Sequence, residues 1–136
     1  MSLKAWLKMR PLKEDNLIEK IEKTYGFRLS DSLRNCLKEY NAGIPTPNVI
    51  RFKNGNESDV KRLLSYNEDD CECIYKIIDY FIKEYGGKII PFALDSAGNY
   101  YCEQQGNEIV YWTQEQDIFP VCGDFEEFLK SLYDID

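Results

Sequence analysis

The spacing of apolar residues changes at Gly86-Gly87, and this change constrains the fold more than any other feature. Before it, apolar residues recur every three or four positions, which is the period of an amphipathic helix. After it come three short extended runs, separated by turn residues, at positions 88–93, 99–103 and 108–113. A helical pattern returns only at the end. This order predicts an α+β domain with N-terminal helices, an antiparallel meander and a C-terminal helix.

The first half of the sequence predicts mostly helices. Two amphipathic helices are expected at 17–25, ended by Gly26, and at 31–40, capped by Ser30 and ended by Asn41-Ala42-Gly43. Of the residues in this last group, Gly43 is expected to supply the positive φ. Further predictions are a helix at 3–9, a strand at 49–52, a short helix at 58–64 begun by Ser58, and a longer helix at 74–85.

The second half predicts the meander and a closing helix. Turn chemistry at 95–98 and 104–107 separates the extended runs. Pro91 within the first run indicates an edge position, a bulge or a strand start. Asp124 caps the last helix, with Glu127 completing a capping box. We expect the following residues to lie largely in one core: Leu33, Leu37, Ile77, Phe81, Phe92, Tyr101, Val110, Trp112, Phe125 and Phe128.

Charge is distributed unevenly over the 136 residues, which we interpret as a single domain spanning 1–136. The net charge is −7, yet residues 91–136 carry ten acidic residues and one lysine. Such a segment repels phosphate backbones, so no nucleic acid partner is expected. It would attract a basic protein and accelerate the encounter. The alternative interpretation is a solvated acidic surface that keeps the protein soluble.

Catalytic and metal-binding groups are sparse in this sequence. There is no histidine, which excludes Ser-His-Asp and Cys-His nucleophile pairs and histidine-ligated metal sites. The five cysteines lack zinc-knuckle spacing, and their odd number favours a reducing cytoplasm. We therefore predict no catalytic residues, no metal and no cofactor. No apolar run approaches the roughly 20 residues that cross a bilayer, and a signal peptide is not expected.

Several motifs, taken in order, resemble the SUKH superfamily, which includes the Smi/Knr and Syd homologues. The most specific stretch is Ile90-Pro91-Phe92-Ala93-Leu94-Asp95-Ser96-Ala97-Gly98-Asn99-Tyr100-Tyr101-Cys102. It is followed by Ile109-Val110-Tyr111-Trp112 and by Asp124-Phe125-Glu126-Glu127-Phe128-Leu129. Two positions depart from the family pattern: Ser30 stands where proline is usual and Ala42 where glycine is usual.

This resemblance implies a non-enzymatic protein-binding module. Bacterial members are commonly immunity proteins that neutralise a cognate toxin, often a nuclease, in the cytoplasm. Fungal relatives act as regulatory scaffolds, so a scaffold or chaperone-like module that binds a host protein is the alternative. The acidic C-terminal third agrees with a basic toxin as partner. We expect a monomer or a weak homodimer.

The partner-binding face is predicted on the meander and its turns. Its carboxylates belong to the acidic third, and one exposed tyrosine would act as an anchor. Because side chains alternate along a strand, Tyr100 and its neighbour Tyr101 should lie on opposite faces. The candidate partner-binding residues are Asp95, Tyr100, Glu103, Glu108, Tyr111, Glu115 and Asp117.

Overall fold

The computed structural model describes residues 2–135 and has the predicted α+β architecture. Its α-helices are α1 (Leu17–Tyr25), α2 (Asp31–Tyr40), α3 (Ile78–Tyr85) and α4 (Phe125–Lys130). A 3-10 turn, Ile74–Lys76, precedes α3. The strands are β1 (Ala5–Leu7), β2 (Ile44–Thr46), β3 (Val49–Arg51), β4 (Glu57–Asp59), β5 (Arg62–Leu63), β6 (Ile89–Leu94), β7 (Tyr100–Gln104), β8 (Ile109–Trp112) and β9 (Ile118–Cys122).

An antiparallel five-stranded sheet in the order β5-β6-β7-β8-β9 forms the centre of the fold. Its β6-β7-β8 portion is the predicted meander. Tyr100 pairs with Trp112 and Glu103 pairs with Ile109 across β7 and β8, which fixes the register. The β6–β7 register shifts between Pro91 and Ala93, so this proline sits at an irregularity, one of its three expected positions.

Both faces of the sheet are covered, and the core is divided between them. On one face, Phe92 and Tyr101 pack against the α4 residues Phe125 and Phe128. On the other face a smaller cluster forms around Phe81 of α3. Most of the predicted core residues lie in the larger cluster, but Phe81, Val110 and Trp112 belong to the smaller one. β6 and β8 are buried along their whole length because helices cover both faces.

The predicted helix ends of α2 and α4 are confirmed by their hydrogen bonds. Ser30 Oγ accepts the Leu33 N–H at 3.2 Å. Asp124 Oδ1 accepts the Glu127 N–H at 2.8 Å. Glu127 reaches back to accept the Gly123 N–H at 3.1 Å, one residue before the usual capping-box partner. Local sequence thus determines where these helices begin.

The predicted helix at 3–9 is wrong, because this segment contains β1. β1 pairs antiparallel with β2, and the Trp6 ring stacks on Tyr40 with centroids 5.8 Å apart. The Leu3 N–H donates to Leu129 O at 2.9 Å. A helix of seven residues has little stability of its own, so pairing with β2 prevails.

The predicted short helix at 58–64 is also wrong, and β9 was not predicted at all. Ser58 does not cap a helix; its hydroxyl donates to Asp95 Oδ2 at 2.8 Å from within β4. Residues 62–63 form β5, an edge of the central sheet. β9 contains Pro120, which weakens its strand signal but is tolerated because β9 is the other edge strand.

The positive φ after α2 belongs to a different residue from the one predicted. Ala42, not Gly43, has a positive φ, of 62°. Gly43 is required for space, because a Cβ there would lie 2.8 Å from Tyr40 O and 3.0 Å from Trp6 Cε3. The glycine therefore allows β1 to approach the end of α2 closely.

Candidate functional site

Three of the seven candidate partner-binding residues lie inside the protein. Asp95 is 1% exposed, Glu103 is 4% exposed and Tyr111 is 8% exposed. Each has hydrogen-bond partners within the chain. Their polar groups therefore bind other parts of the same chain, and they stabilise the fold around the candidate face.

Asp95 organises the β6–β7 turn. Its Oδ1 accepts the N–H groups of Ala97 at 3.0 Å and Asn99 at 2.9 Å. Its Oδ2 accepts the hydroxyls of Ser58 and Tyr111. Burial, together with the hydrogen bond to Asp95, raises the pKa of Tyr111 to about 12. The hydroxyl is therefore protonated and acts as a donor at neutral pH.

Glu103 connects the central sheet to the start of α2. Its carboxylate accepts the Ser30 N–H at 2.8 Å and the Ser30 hydroxyl at 2.6 Å. Burial raises the pKa of Glu103, and these two hydrogen bonds oppose that rise. A buried carboxylate at a helix N-terminus satisfies backbone groups that would otherwise lack partners.

The remaining four candidates lie at opposite ends of the strands. Glu108, in the β7–β8 turn, is half-buried and lies 3.5 Å from Lys53 Nζ. Tyr100 starts β7 at the other end, near the β8–β9 turn that carries the exposed Glu115 and Asp117. The structure therefore brings together Tyr100, Glu115 and Asp117, and separates Glu108 from them.

A groove of about 290 Å³ lies between α3 and this end of the sheet. We call it the aromatic groove. It is lined by Lys76, Ile77, Tyr80, Phe81, Tyr100, Trp112, Gln114 and Gln116. Glu115 and Asp117 are exposed and are the sequence neighbours of the two lining glutamines in the β8–β9 turn.

Aromatic rings form the floor and the walls of this groove. Trp112 lies 5.6 Å from Tyr80 and 5.8 Å from Tyr100, measured between ring centroids. Trp112 is buried and its Nε1 donates to Tyr85 Oη at 3.0 Å, so the floor is fixed in place. Tyr80 and Tyr100 are half-buried and leave ring surface toward solvent.

The turn that carries the acidic rim is held by its own hydrogen bonds. The Asp117 N–H donates to Thr113 Oγ1 at 3.2 Å, and Gln114 Nε2 donates to Gly98 O at 2.6 Å. Gln116 has a φ of 70°, a left-handed conformation uncommon for a non-glycine residue. Strained backbone of this kind is often found at functional sites.

Sequence reasoning did not identify Tyr80, Gln114 or Gln116 as site residues. Tyr80 precedes the core residue Phe81 on α3, and only the packing of α3 on the sheet brings it beside Trp112. A helical wheel places it at the edge of the apolar stripe. That edge position was the available signal, but it does not distinguish a groove wall from a solvated tyrosine.

A second, larger concavity of about 570 Å³ lies beside the α1–α2 connection. Both carboxylates in its lining already have partners. Glu22 Oε2 lies 2.8 Å from Arg34 Nη2 and accepts the Leu29 N–H at 2.8 Å. Glu103 is bound to Ser30, as described above. The carboxylates of this concavity are therefore not free to recognise a basic partner.

Cys73, Cys102 and Cys122 are buried, Cys36 is half-buried and Cys71 is exposed. Burial raises the pKa of Cys36 and of Cys122 to about 12, and raises that of Cys102 well above its ordinary value. Such thiols are protonated at neutral pH and are poor nucleophiles. Within residues 2–135, no group of three or more His, Cys, Asp or Glu side chains is arranged to hold a metal ion.

None of the helices described between residues 2 and 135 is both long and apolar enough to span a bilayer.

Comparison with known proteins identifies one family. The sequence profile of the SMI1 / KNR4 family (SUKH-1) matches residues 13–131. The chain is also 33% identical, over 72 residues, to the SPbeta prophage-derived uncharacterized protein YokK of Bacillus subtilis (strain 168). That match covers 48% of this chain and 38% of the relative, so the chain spans well under half the length of YokK. No solved structure matches.

Proposed function

The chain belongs to the SMI1 / KNR4 family (SUKH-1), and on this premise we propose that it is an immunity protein that binds and neutralises a basic toxin. The toxin would be a protein, such as a nuclease, bound in the cytoplasm. The chain would act by occupying a surface of the toxin, without catalysis of its own and without a metal or cofactor.

One observation supports this proposal above the others: the acidic side chains beside the aromatic groove are not neutralised. Within residues 2–135, neither Glu115 nor Asp117 has a Lys or Arg nitrogen within 4.0 Å. The acidic loop at 68–72 is different, because three of its four carboxylates pair with basic side chains: Asp69 with Lys13, Asp70 with Arg10 and Glu72 with Lys61.

Unpaired charge next to exposed aromatic surface is a suitable combination for binding a basic protein. Tyrosine and tryptophan supply a large contact area at low entropic cost, and uncompensated carboxylates direct the approach of the partner. We therefore assign partner contact to Tyr100, Glu115 and Asp117, with Glu108 contributing at a distance. Asp95, Glu103 and Tyr111 would act indirectly, by fixing the turns and α2.

The experiment begins with the gene adjacent to the one encoding this chain. Its product is expressed with and without the chain in a host cell. We expect a growth defect that co-expression relieves, and a complex of the two purified proteins that contains one copy of each.

The variant Glu115→Lys/Asp117→Lys should lose protection. Asp15→Lys/Asp134→Lys makes the same change in net charge at exposed, unpaired positions outside the groove, and should retain it. Equal protection by both variants would contradict the proposed site. Binding without any growth protection would replace the immunity role with that of a regulatory scaffold or chaperone-like module.

A further inference from the structure

The shape and chemistry of the aromatic groove indicate what kind of side chain it can receive. We infer that the groove binds an arginine side chain of the basic partner, whose guanidinium stacks on the tyrosine rings and pairs with the acidic rim. This inference rests on the proposed function and adds to it the residue type that is recognised.

The walls of the groove favour a cation. Tyr80 and Tyr100 present half-buried rings on either side of Trp112, whose centroid lies 5.6 Å and 5.8 Å from theirs. The face of an aromatic ring carries partial negative charge, so it attracts a cation placed over it, and arginine is found there more often than lysine. A purely apolar side chain would gain the contact area but not this attraction.

The rim supplies acceptors for the guanidinium N–H groups. Glu115 and Asp117 provide unpaired carboxylates on either side of Gln116. Gln114 donates its Nε2–H to Gly98 O at 2.6 Å, which leaves its Oε1 as an acceptor. A planar group with five donors can use several of these acceptors at once, whereas a lysine ammonium acts as a point charge.

Lys76, the cationic residue in the groove lining, does not place its charge where an incoming arginine would bind. The Lys76 Nζ donates to Cys71 O at 2.8 Å, so its charged end is held at a backbone carbonyl of the preceding loop. Its alkyl stem remains available as apolar wall. The groove is therefore rich in acceptors and ring faces, and an incoming arginine would meet few opposing charges.

The test uses the full chain and a blocked glycine–arginine–glycine peptide as the probe. The same peptide with citrulline in place of arginine is the matched control, because citrulline keeps the shape and removes the charge. Binding is followed by the NMR resonance of the Trp112 indole N–H, which reports on the groove floor through its hydrogen bond to Tyr85. We expect a saturable shift with the arginine peptide and at least threefold weaker binding of the citrulline peptide.

Two variants locate the binding to the rings. Tyr80→Leu removes one π face but keeps apolar bulk, and should weaken probe binding at least threefold, whereas Tyr80→Phe should keep it. Tyr133→Leu changes a half-buried tyrosine outside the groove, one that already lies under Arg51 at 5.6 Å, and should have no effect. A fingerprint NMR spectrum confirms that each variant is folded.

The outcomes separate this inference from the proposed function. Equal shifts with the arginine and citrulline peptides, or no saturable shift with either, would overturn the arginine site. The inference also fails if Tyr80→Leu leaves toxin binding unchanged while Glu115→Lys/Asp117→Lys abolishes it, and in that case the proposed function stands. If the wild-type chain does not relieve the growth defect, the proposed function is overturned instead.

Discussion

Buried charged side chains do much of the positioning in this protein. Glu22 and Arg34 form a pair in which both residues are less than 10% exposed, and Arg34 Nη2 also donates to Leu29 O at 2.7 Å. The pair ties α1, α2 and their connection together. Isolated in a low-dielectric interior, either charge would be costly.

Arg34→Met should therefore lower the free energy of unfolding by about 3–5 kcal/mol, because it leaves the Glu22 carboxylate buried without its partner. The double variant Glu22→Leu/Arg34→Met removes both charges and should recover most of this loss. Urea denaturation measures both values. If the double variant is as unstable as the single one, the loss comes from packing and hydrogen bonding rather than from an uncompensated charge.

Glu103 makes a different prediction, concerning pH. Its pKa is raised by burial in the folded protein, so the folded state holds its proton more strongly than the unfolded chain does. The stabilising contribution of the protonated Glu103 side chain is complete below its ordinary pKa of 4.5. It is lost as the pH rises through the pKa of Glu103 in the folded protein. Glu103→Gln should remove this dependence.

The measurement is urea denaturation of the wild type and of Glu103→Gln over the acidic to neutral range. The stability advantage of the wild type over the variant should shrink as the pH rises above 4.5. Glu126→Gln removes a carboxylate at an exposed position and corrects for the change in net charge. A wild-type advantage that grows with pH would contradict the raised pKa.

At the scale of elements, α3 and α4 stabilise opposite faces of the same sheet. Phe81 of α3 packs on Trp112, with centroids 5.1 Å apart, and Phe128 of α4 packs on Phe92 at 5.4 Å. The two phenylalanines have no aromatic partner in common. Each helix can therefore be weakened separately.

Phe81→Ala and Phe128→Ala should each lower the free energy of unfolding by about 3–5 kcal/mol, the usual cost of truncating a buried phenylalanine. Because the two residues belong to separate clusters, the loss in the double variant should equal the sum of the single losses within about 0.5 kcal/mol. Chemical denaturation of the three variants provides the test. A larger deviation would indicate that the sheet couples its two faces.

Elements whose signals are local could be predicted from the sequence. Ser30 and Asp124 cap α2 and α4 as expected, and β6, β7 and β8 coincide with the predicted extended runs to within one residue at each end. β1 and β5 contain only three and two residues and pair with β2 and β6, which are distant along the chain. No local pattern specifies such strands, so tertiary pairing decides their conformation.

The candidate site was predictable only in part, for a related reason. The acidic excess and Tyr100 followed from composition and strand alternation. Alternation gives the face of a residue but not whether a helix covers that face, so Asp95 and Glu103 were expected on the surface and are buried. The other wall of the groove, Tyr80, comes from α3, and its position depends on how that helix packs on the sheet.

At the scale of the whole molecule, the charge distribution is expected to govern the encounter with the partner. Residues 91–136 carry ten acidic residues and one lysine, an excess of −9 that is larger than the −7 of the whole chain, and Glu115 and Asp117 place part of it next to residues that line the aromatic groove. Long-range attraction of this kind acts on the association rate constant, while close contacts in the groove govern dissociation. The two contributions can be separated by varying the salt concentration.

Glu115→Lys/Asp117→Lys should slow association with the basic toxin by at least about tenfold at low salt, and much less at high salt, because the Debye length falls to about 3 Å at 1 M. Stopped-flow or surface-based kinetics over a salt series measures this. Asp15→Lys/Asp134→Lys has the same net charge and should change the rate less, since its charges lie outside the groove. Asp95 is left unchanged, because a lysine in its buried network would disrupt the β6–β7 turn. Identical rates for the two variants would mean that net charge alone drives the encounter, and a wild-type rate for the groove variant in a folded protein would place the binding surface elsewhere.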